Sequence, residues 1–189
     1  MVIFKKIDLN KLEEYINLYK RSFKNFTKTL NYFKWLYVDN PQGNFVGIDC
    51  YENDTLIGQV GGIPHEFIFN NNKVKFLISI NVCVDPKYQG KWLFSKMLVQ
   101  FEQIAKELDF DGIIGIANKS ATPFWLRSIK LNKLQSLNVY IGFGKVETKT
   151  IIKSNYNFYT LWSEKNLQWR LKNPINNTFL HSDNENLSI

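Results

Sequence analysis

Asn81-Val-Cys-Val-Asp-Pro-Lys-Tyr-Gln-Gly-Lys-Trp-Leu-Phe-Ser-Lys-Met-Leu98 is the stretch whose reading decides the fold. Apolar residues lead to Asp85-Pro86, a short loop holding Gly90 follows, and the residues after it have the spacing of an amphipathic helix. A strand that passes through a glycine loop directly into a helix aims free backbone N–H groups and the positive end of a helix dipole at one point. Such a point suits an anion, typically a pyrophosphate.

Working outward, Met97, Phe101, Ile104, Ala105 and Leu108 mark one helical face. Residues 112–117 are short and wholly apolar, as expected of a central parallel strand. Residues 74–84, the helix and residues 112–117 therefore predict a β-α-β unit with a right-handed crossover. Upstream, residues 45–51, Thr55–Phe69 and 74–84 read as three strands separated by Asn53-Asp54 and Asn70-Asn71-Asn72, an antiparallel meander. Gly58, Gly61, Gly62 and Pro64 bend or bulge the long middle strand. Residues 2–7 form a first strand, and Asn10 with Glu13 caps a helix carrying Leu12, Tyr15, Ile16, Tyr19, Phe23 and Phe26. A second helix covers Leu30–Tyr37, Asn118 caps another through about Ser128, and residues 134–143 and 148–152 form closing strands. The expected fold class is α/β, an α+β mixed sheet with an antiparallel N-terminal meander.

Composition bounds the rest. A chain of 189 residues with 44% hydrophobic residues supports one cored domain and is not disordered. The net charge of +7 fits an anionic ligand or nucleic acid, and equally a lysine-rich chain, since the lysines are spread out. They form no tract and no RNA-binding motif is present, so no nucleic-acid partner is expected. Two cysteines, Cys50 and Cys83, argue against a structural disulfide and for a reducing cytoplasm. No apolar run is long enough for a membrane span, the N-terminus lacks a signal-peptide pattern, and no metal-ligand spacing is present.

The decisive stretch resembles the acyl-CoA signature of the GNAT N-acetyltransferase superfamily, (Gln/Arg)-x-x-Gly-x-(Gly/Ala), here Gln89-Gly90-Lys91-Trp92-Leu93-Phe94. Val82-Cys-Val-Asp-Pro-Lys-Tyr88 is similar to the family's lead-in, and Asn118-Lys-Ser-Ala121-Thr-Pro-Phe124-Trp125 resembles its Asn-x-x-Ala segment. The resemblance covers roughly residues 1–150. It implies a GNAT-like fold whose fourth and fifth strands splay apart, with acetyl-CoA as co-substrate and no metal. It implies that Val82 and Val84 pair with the pantetheine arm, that the backbone of Gln89, Gly90, Lys91, Trp92, Leu93 and Phe94 holds the pyrophosphate, and that Asn118 bonds the arm. Lys91 and Lys96 add charge near the phosphates or are solvated surface lysines. The alternative for Asn118 is a plain helix cap, or both roles together.

Two departures stand out. Trp92 and Phe94 replace residues that the family keeps small, where glycine lets backbone approach phosphate. Trp92 stacks on the adenine or is a surface aromatic. Trp125 stands where many members carry a tyrosine that protonates the leaving thiolate, and an indole N–H is no useful acid. The base is open as well. Strand 74–84 holds no carboxylate, and its alternation puts Ser79, Asn81 and Cys83 on one face and Ile78, Ile80 and Val82 on the other. Ser79 and Asn81 can hold a water, while His65 and Glu66 on the neighbouring strand are titratable candidates or structural residues. Cys83 has no readable His/Asp partner set for nucleophilic work.

The tail carries an echo: Trp169-Arg-Leu-Lys-Asn-Pro174 repeats the pattern of Trp35-Leu-Tyr-Val-Asp-Asn-Pro41. Residues 151–189 are thus the start of a second repeat behind a domain at 1–150, or the echo is coincidence in an Asn-rich chain. The function implied is an N-acyltransferase that moves an acetyl group to a primary amine of a small molecule by direct attack. Trp-Leu-Tyr…Asn-Pro looks like GNAT members found with surface-glycan genes, which points to an amino-sugar acceptor. The alternative is a GNAT-like CoA-binding or interaction module without turnover. A monomer or homodimer is expected.

Overall fold

The protein is described by a computed structural model over residues 1–90, 92–134 and 157–176, with the backbone of 181–182 and 187–188. Lys91 and the strands expected within 134–143 and 148–152 lie outside the described residues, apart from Leu134 itself. The element order is β1 (Val2–Lys6), α1 (Leu12–Ser22), α2 (Leu30–Tyr37), β2 (Val46–Glu52), β3 (Thr55–Phe69), β4 (Asn72–Ser79), β5 (Cys83–Val84), α3 (Leu93–Glu107), β6 (Gly112–Gly115), α4 (Thr122–Ser128), β7 (Phe158–Thr160), α5 (Glu164–Leu171), then β8 (His181–Ser182) and β9 (Leu187–Ser188). The main sheet is mixed: β1-β2-β3-β4 run antiparallel and β6 joins β4 in parallel. The expected meander and β-α-β unit are both present.

Apolar residues alternate across the strands, so helices cover both faces. α1 and α2 bury Tyr15, Leu18, Tyr19, Phe33 and Tyr37 on one side, and α3 buries Met97, Leu98 and Phe101 on the other. Each fully buried large apolar side chain contributes about 1.5–3 kcal/mol. The side chain of Met97 reaches the sheet because Gly58 has no Cβ, which would otherwise stand 2.9 Å from the Met97 terminal methyl.

β3 changes partner halfway along both edges. Its first half pairs with β2 and β5, and its second half pairs with β7 and β4. The strand expected over residues 74–84 is therefore two strands, interrupted at residues 80–82. Ile80 N–H donates to Gly61 O at 3.2 Å and Asp85 N–H to Ile57 O at 2.8 Å. Four positions on β3 face five on the other strand, so one residue is extra and the pair carries a bulge. Asn81 takes up the strain with φ +53°, a conformation asparagine tolerates better than most residues.

The bulge corrects one expectation. Ile78, Ile80 and Cys83 all pack toward α1 and α2, while Val82 and Val84 pack toward α3. Cys83 does not share a face with Ser79, because the extra residue reverses the alternation beyond Asn81.

The tail returns to the domain. Thr29 and Ser163 cap α2 and α5 by accepting from Tyr32 N–H and Asn166 N–H. These caps, both helix starts and both tryptophans are each 134 positions apart. Trp35 and Trp169 stack at 4.8 Å and 16°. Trp35 Nε1 donates to Trp169 O and Trp169 Nε1 to Trp35 O, both at 2.8 Å. Each helix is followed by an Asx turn, Asn40 Oδ1 accepting from Gln42 N–H and Asn173 Oδ1 from Ile175 N–H.

Candidate active site

The parallel pairing of β4 with β6 ends at Ser79 and Gly115. Beyond it, β5 follows β3 alone, so the expected parting of the two strands is present. Ile80 and Asp85 spend their N–H groups on β3. By alternation, the Val82 and Val84 peptide groups turn to the edge that β6 has left. Val84 O accepts from Gln89 Nε2 at 3.2 Å, so Gln89 holds the loop to the strand through its side chain.

The loop leaves the strand at Asp85, whose side-chain oxygen accepts from Lys87 N–H to start a short 3-10 turn at Pro86–Tyr88. Asp85 is buried. Burial alone pushes its carboxyl up, but Arg21, whose Nε lies 2.7 Å away, outweighs this and holds it below the ordinary carboxylate range. Gly90 has φ +79° and open space around it. Trp92 begins α3 with φ +59°, the left-handed backbone that a glycine adopts without cost. A tryptophan therefore stands where the backbone favours glycine, and the residue is 73% exposed. Its side chain makes no capping bond and the first turn of α3 carries no acidic residue, so neither spends the anion-attracting end of the helix.

Trp92→Gly is expected to raise stability by about 1 kcal/mol, the cost of a left-handed non-glycine residue. Urea unfolding checks this. A destabilised variant would show that the exposed ring, rather than the backbone, governs this position.

Leu93 is buried against the sheet. Phe94 packs edge-on against Phe124 at 5.5 Å and Trp125 at 6.1 Å. Its bulk thus joins α3 to α4. Trp125 is buried and belongs to the core cluster under α3. Asn118 Oδ1 accepts from Ala121 N–H and Ser120 Oγ, both at 2.8 Å, and so closes the turn before α4; the N-cap of α4 is Ala121, which makes no side-chain capping bond, so the expected cap at Asn118 is corrected.

Of the expected catalytic residues, Asn81 lies at the bulge. Its Nδ2 is buried and makes no hydrogen bond of standard geometry among the described residues, although the amide lies beside the Tyr37 phenol. His65 and Glu66 pair with Phe76 and Lys75, four and five residues along β3 from Gly61. At about 3.3 Å per residue that is more than 13 Å from the bulge. Burial, followed by the charge of Arg170, holds His65 below the ordinary imidazole range, and Phe67 and Trp162 meet its ring. Glu66 pairs with Lys73 at 2.7 Å. Cys83 is free and buried, with its thiol pushed up to about 12 mainly by desolvation, so the reactive thiolate is scarce at neutral pH.

Sequence reasoning missed the buried polar network that ends at Asn81. Tyr15 donates to Asp49 Oδ2 at 2.8 Å, Gln59 Nε2 to Asp49 Oδ1 at 3.2 Å and Tyr37 to Gln59 Oε1 at 3.0 Å. The Tyr19 hydroxyl lies within hydrogen-bond reach of both Gln59 Oε1 and the Asn81 carbonyl. The signal in the sequence is polar residues, Asp49 and Gln59, inside apolar strands.

No cluster of metal ligands is present among the described residues, and no helix there is long and apolar enough to cross a membrane. No curated protein matches the chain in sequence. The fold is similar to an aminoglycoside acetyltransferase from an uncultured soil metagenomic sample in complex with trehalose (17% identity, TM-score 0.58, 76% of this chain and 97% of that one). It is also similar to a predicted acetyltransferase with acetyl-CoA from Clostridium acetobutylicum (19%, 0.59, 74% and 96%). A third similar structure is glucosamine-6-phosphate N-acetyltransferase from Arabidopsis thaliana (16%, 0.54, 75% and 99%). The family profile for the acetyltransferase (GNAT) domain matches residues 4–117, which include the meander, the bulge, the glycine loop and β6. The chain therefore belongs to the GNAT family of N-acetyltransferases.

Proposed function

We propose that the protein transfers an acetyl group from acetyl-CoA to a primary amine of a small molecule by direct attack on the thioester. The observation that carries this is the bulge at Asn81 facing the gap between β5 and β6, with the uncapped start of α3 beyond it. The outward peptide groups of Val82 and Val84 suit the pantetheine arm. The backbone of Gln89, Gly90, Trp92, Leu93 and Phe94 suits the pyrophosphate; Lys91 between them lies outside the described residues. Catalysis then rests on positioning and on a backbone N–H polarising the thioester carbonyl. The amine must be neutral to attack, and a water at the bulge is the base that fits the site's position; His65 and Glu66 lie far along β3. With Trp125 buried, water supplies the proton to the leaving thiolate.

An amino sugar is the acceptor this reading favours. Two of the similar structures are an aminoglycoside and a glucosamine-6-phosphate acetyltransferase. The two free buried cysteines support a reducing cytoplasm. For the chain's organisation, the α2/α5 correspondence supports a domain over 1–150 followed by the start of a second repeat in 151–189.

Calorimetry with acetyl-CoA and CoA tests the donor site: micromolar to millimolar binding is expected, and no heat at millimolar ligand removes the proposal. Free-thiol release over a panel of amino sugars and aminoglycosides then tests turnover. Trp125 and the missing strand carboxylate favour a second reading, a CoA-binding module, which predicts binding with no thiol release.

A further inference from the structure

We propose that Tyr19 is a positioning residue for acetyl transfer, acting through the bulge rather than on substrate. The inference rests on the donor-site reading above. Tyr19 comes from α1 on the opposite face of the sheet from α3, and is only 1% exposed. Its hydroxyl bonds the Asn81 carbonyl and Gln59 Oε1 and stands 3.3 Å from the Tyr37 hydroxyl. A phenol has one proton to give. Gln59 Oε1 already accepts from Tyr37 at 3.0 Å. We assign the one Tyr19 proton to the Asn81 carbonyl, with the Tyr37 proton left to Gln59 Oε1.

That bond sets a direction. Within one trans peptide unit the C=O and the following N–H point opposite ways. Holding the Asn81 carbonyl toward α1 turns the Val82 N–H away from α1, toward the α3 side where Val82 and Val84 pack and where β6 has left the edge open. The Val82 N–H is the donor that a thioester carbonyl in the gap would meet. Without the phenol, the Asn81 carbonyl loses the side-chain bond that holds its peptide plane.

The network behind Tyr19 makes it rigid. Gln59 is held by Asp49 and Tyr37, and Asp49 by Tyr15. Burial raises the pKa of Tyr19 and Tyr37 well above the ordinary phenol value, so both remain neutral donors across the working range. Tyr19 thus serves as a fixed donor and not as a proton acceptor in the reaction.

The test compares affinities for acetyl-CoA and CoA, which differ by the acetyl group, in the full chain by calorimetry. The wild type is expected to favour acetyl-CoA by about 2- to 10-fold, the worth of one net hydrogen bond. In Tyr19→Phe that preference falls to about one, while CoA affinity stays within about twofold of wild type. Tyr15→Phe, at the far end of the same network, keeps the preference despite losing a buried bond. An unchanged preference in Tyr19→Phe overturns the inference, and so does loss of CoA binding together with the preference, which is what a merely structural role gives. If Tyr19→Phe does not fold, 3-fluorotyrosine at position 19 keeps the ring and strengthens the donor. The preference then rises, and no change overturns the inference. A wild type that binds neither ligand removes the donor site itself, a different outcome from failure at Tyr19.

Discussion

Replacing Trp169 by alanine is expected to cost about 3–5 kcal/mol of folding stability, the range for truncating a buried tryptophan. The loss is large for a residue in a short C-terminal helix because its ring is stacked flat on Trp35 and its Nε1 occupies the Trp35 carbonyl. Trp35→Ala should cost as much or more, since that ring also meets Tyr32 at 5.7 Å. The double variant should then fall short of the sum by about 0.5–3 kcal/mol, as contacting residues do. Urea unfolding of the four proteins measures the cycle. A wild-type midpoint in Trp169→Ala would show that α5 does not hold α2, and would take away the support for a second repeat. The reciprocal bonds explain why both helices keep the same cap, length and Asn-Pro turn: each tryptophan needs the other's carbonyl at the same depth.

Asp49→Asn should stabilise the protein at alkaline pH and do little at acid pH. Asp49 is 1% exposed, and desolvation raises its carboxyl to about 7, against the smaller opposing effects of the Tyr15 and Gln59 hydrogen bonds. An acid whose folded pKa lies above its unfolded value keeps its proton in the folded state where the unfolded chain has released it. Stability from this group is therefore full below the unfolded value of 3.8, falls as pH rises to about 7, and is level above that. The asparagine stays neutral and can satisfy the same partners, accepting from Gln59 and donating to the Tyr15 oxygen. Relative to wild type it should gain up to about 4 kcal/mol between pH 4 and pH 8, at about 1.4 kcal/mol per tenfold displacement of the proton equilibrium. Denaturant midpoints at the two pH values read this difference. Parallel pH profiles for the two proteins would mean that Asp49 is ionised in the fold. Ion pairs such as Arg21 with Asp85 titrate in both proteins and cancel in the comparison.

Local pattern made much of the molecule legible. Helix Leu30–Tyr37 and strand Thr55–Phe69 coincide with the expected bounds, because apolar spacing and flanking turn residues mark them. The glycine loop was legible for the same reason. The bulge was not. Residues 74–84 read as one strand, since valine and isoleucine continue through Asn81 without a turn signal, and a single inserted residue is visible only against the partner strand's hydrogen bonds. The polar network was illegible too, since Tyr15, Tyr19 and Tyr37 carry the apolar spacing of a helix face and only folding brings their hydroxyls to Asp49 and Gln59.

By itself, then, the sequence determined the order of strands and helices, the loop that follows the strand and the family resemblance. Each depends on neighbours within one or two turns of chain. The tertiary structure alone decided which way the peptide after Asn81 points, that Trp92 sits in a glycine-like backbone, and that Trp35 and Trp169 close on each other across 134 positions. These depend on groups from α1, β3 and α5 converging, and no local propensity encodes the partner of a hydrogen bond that far away in the chain.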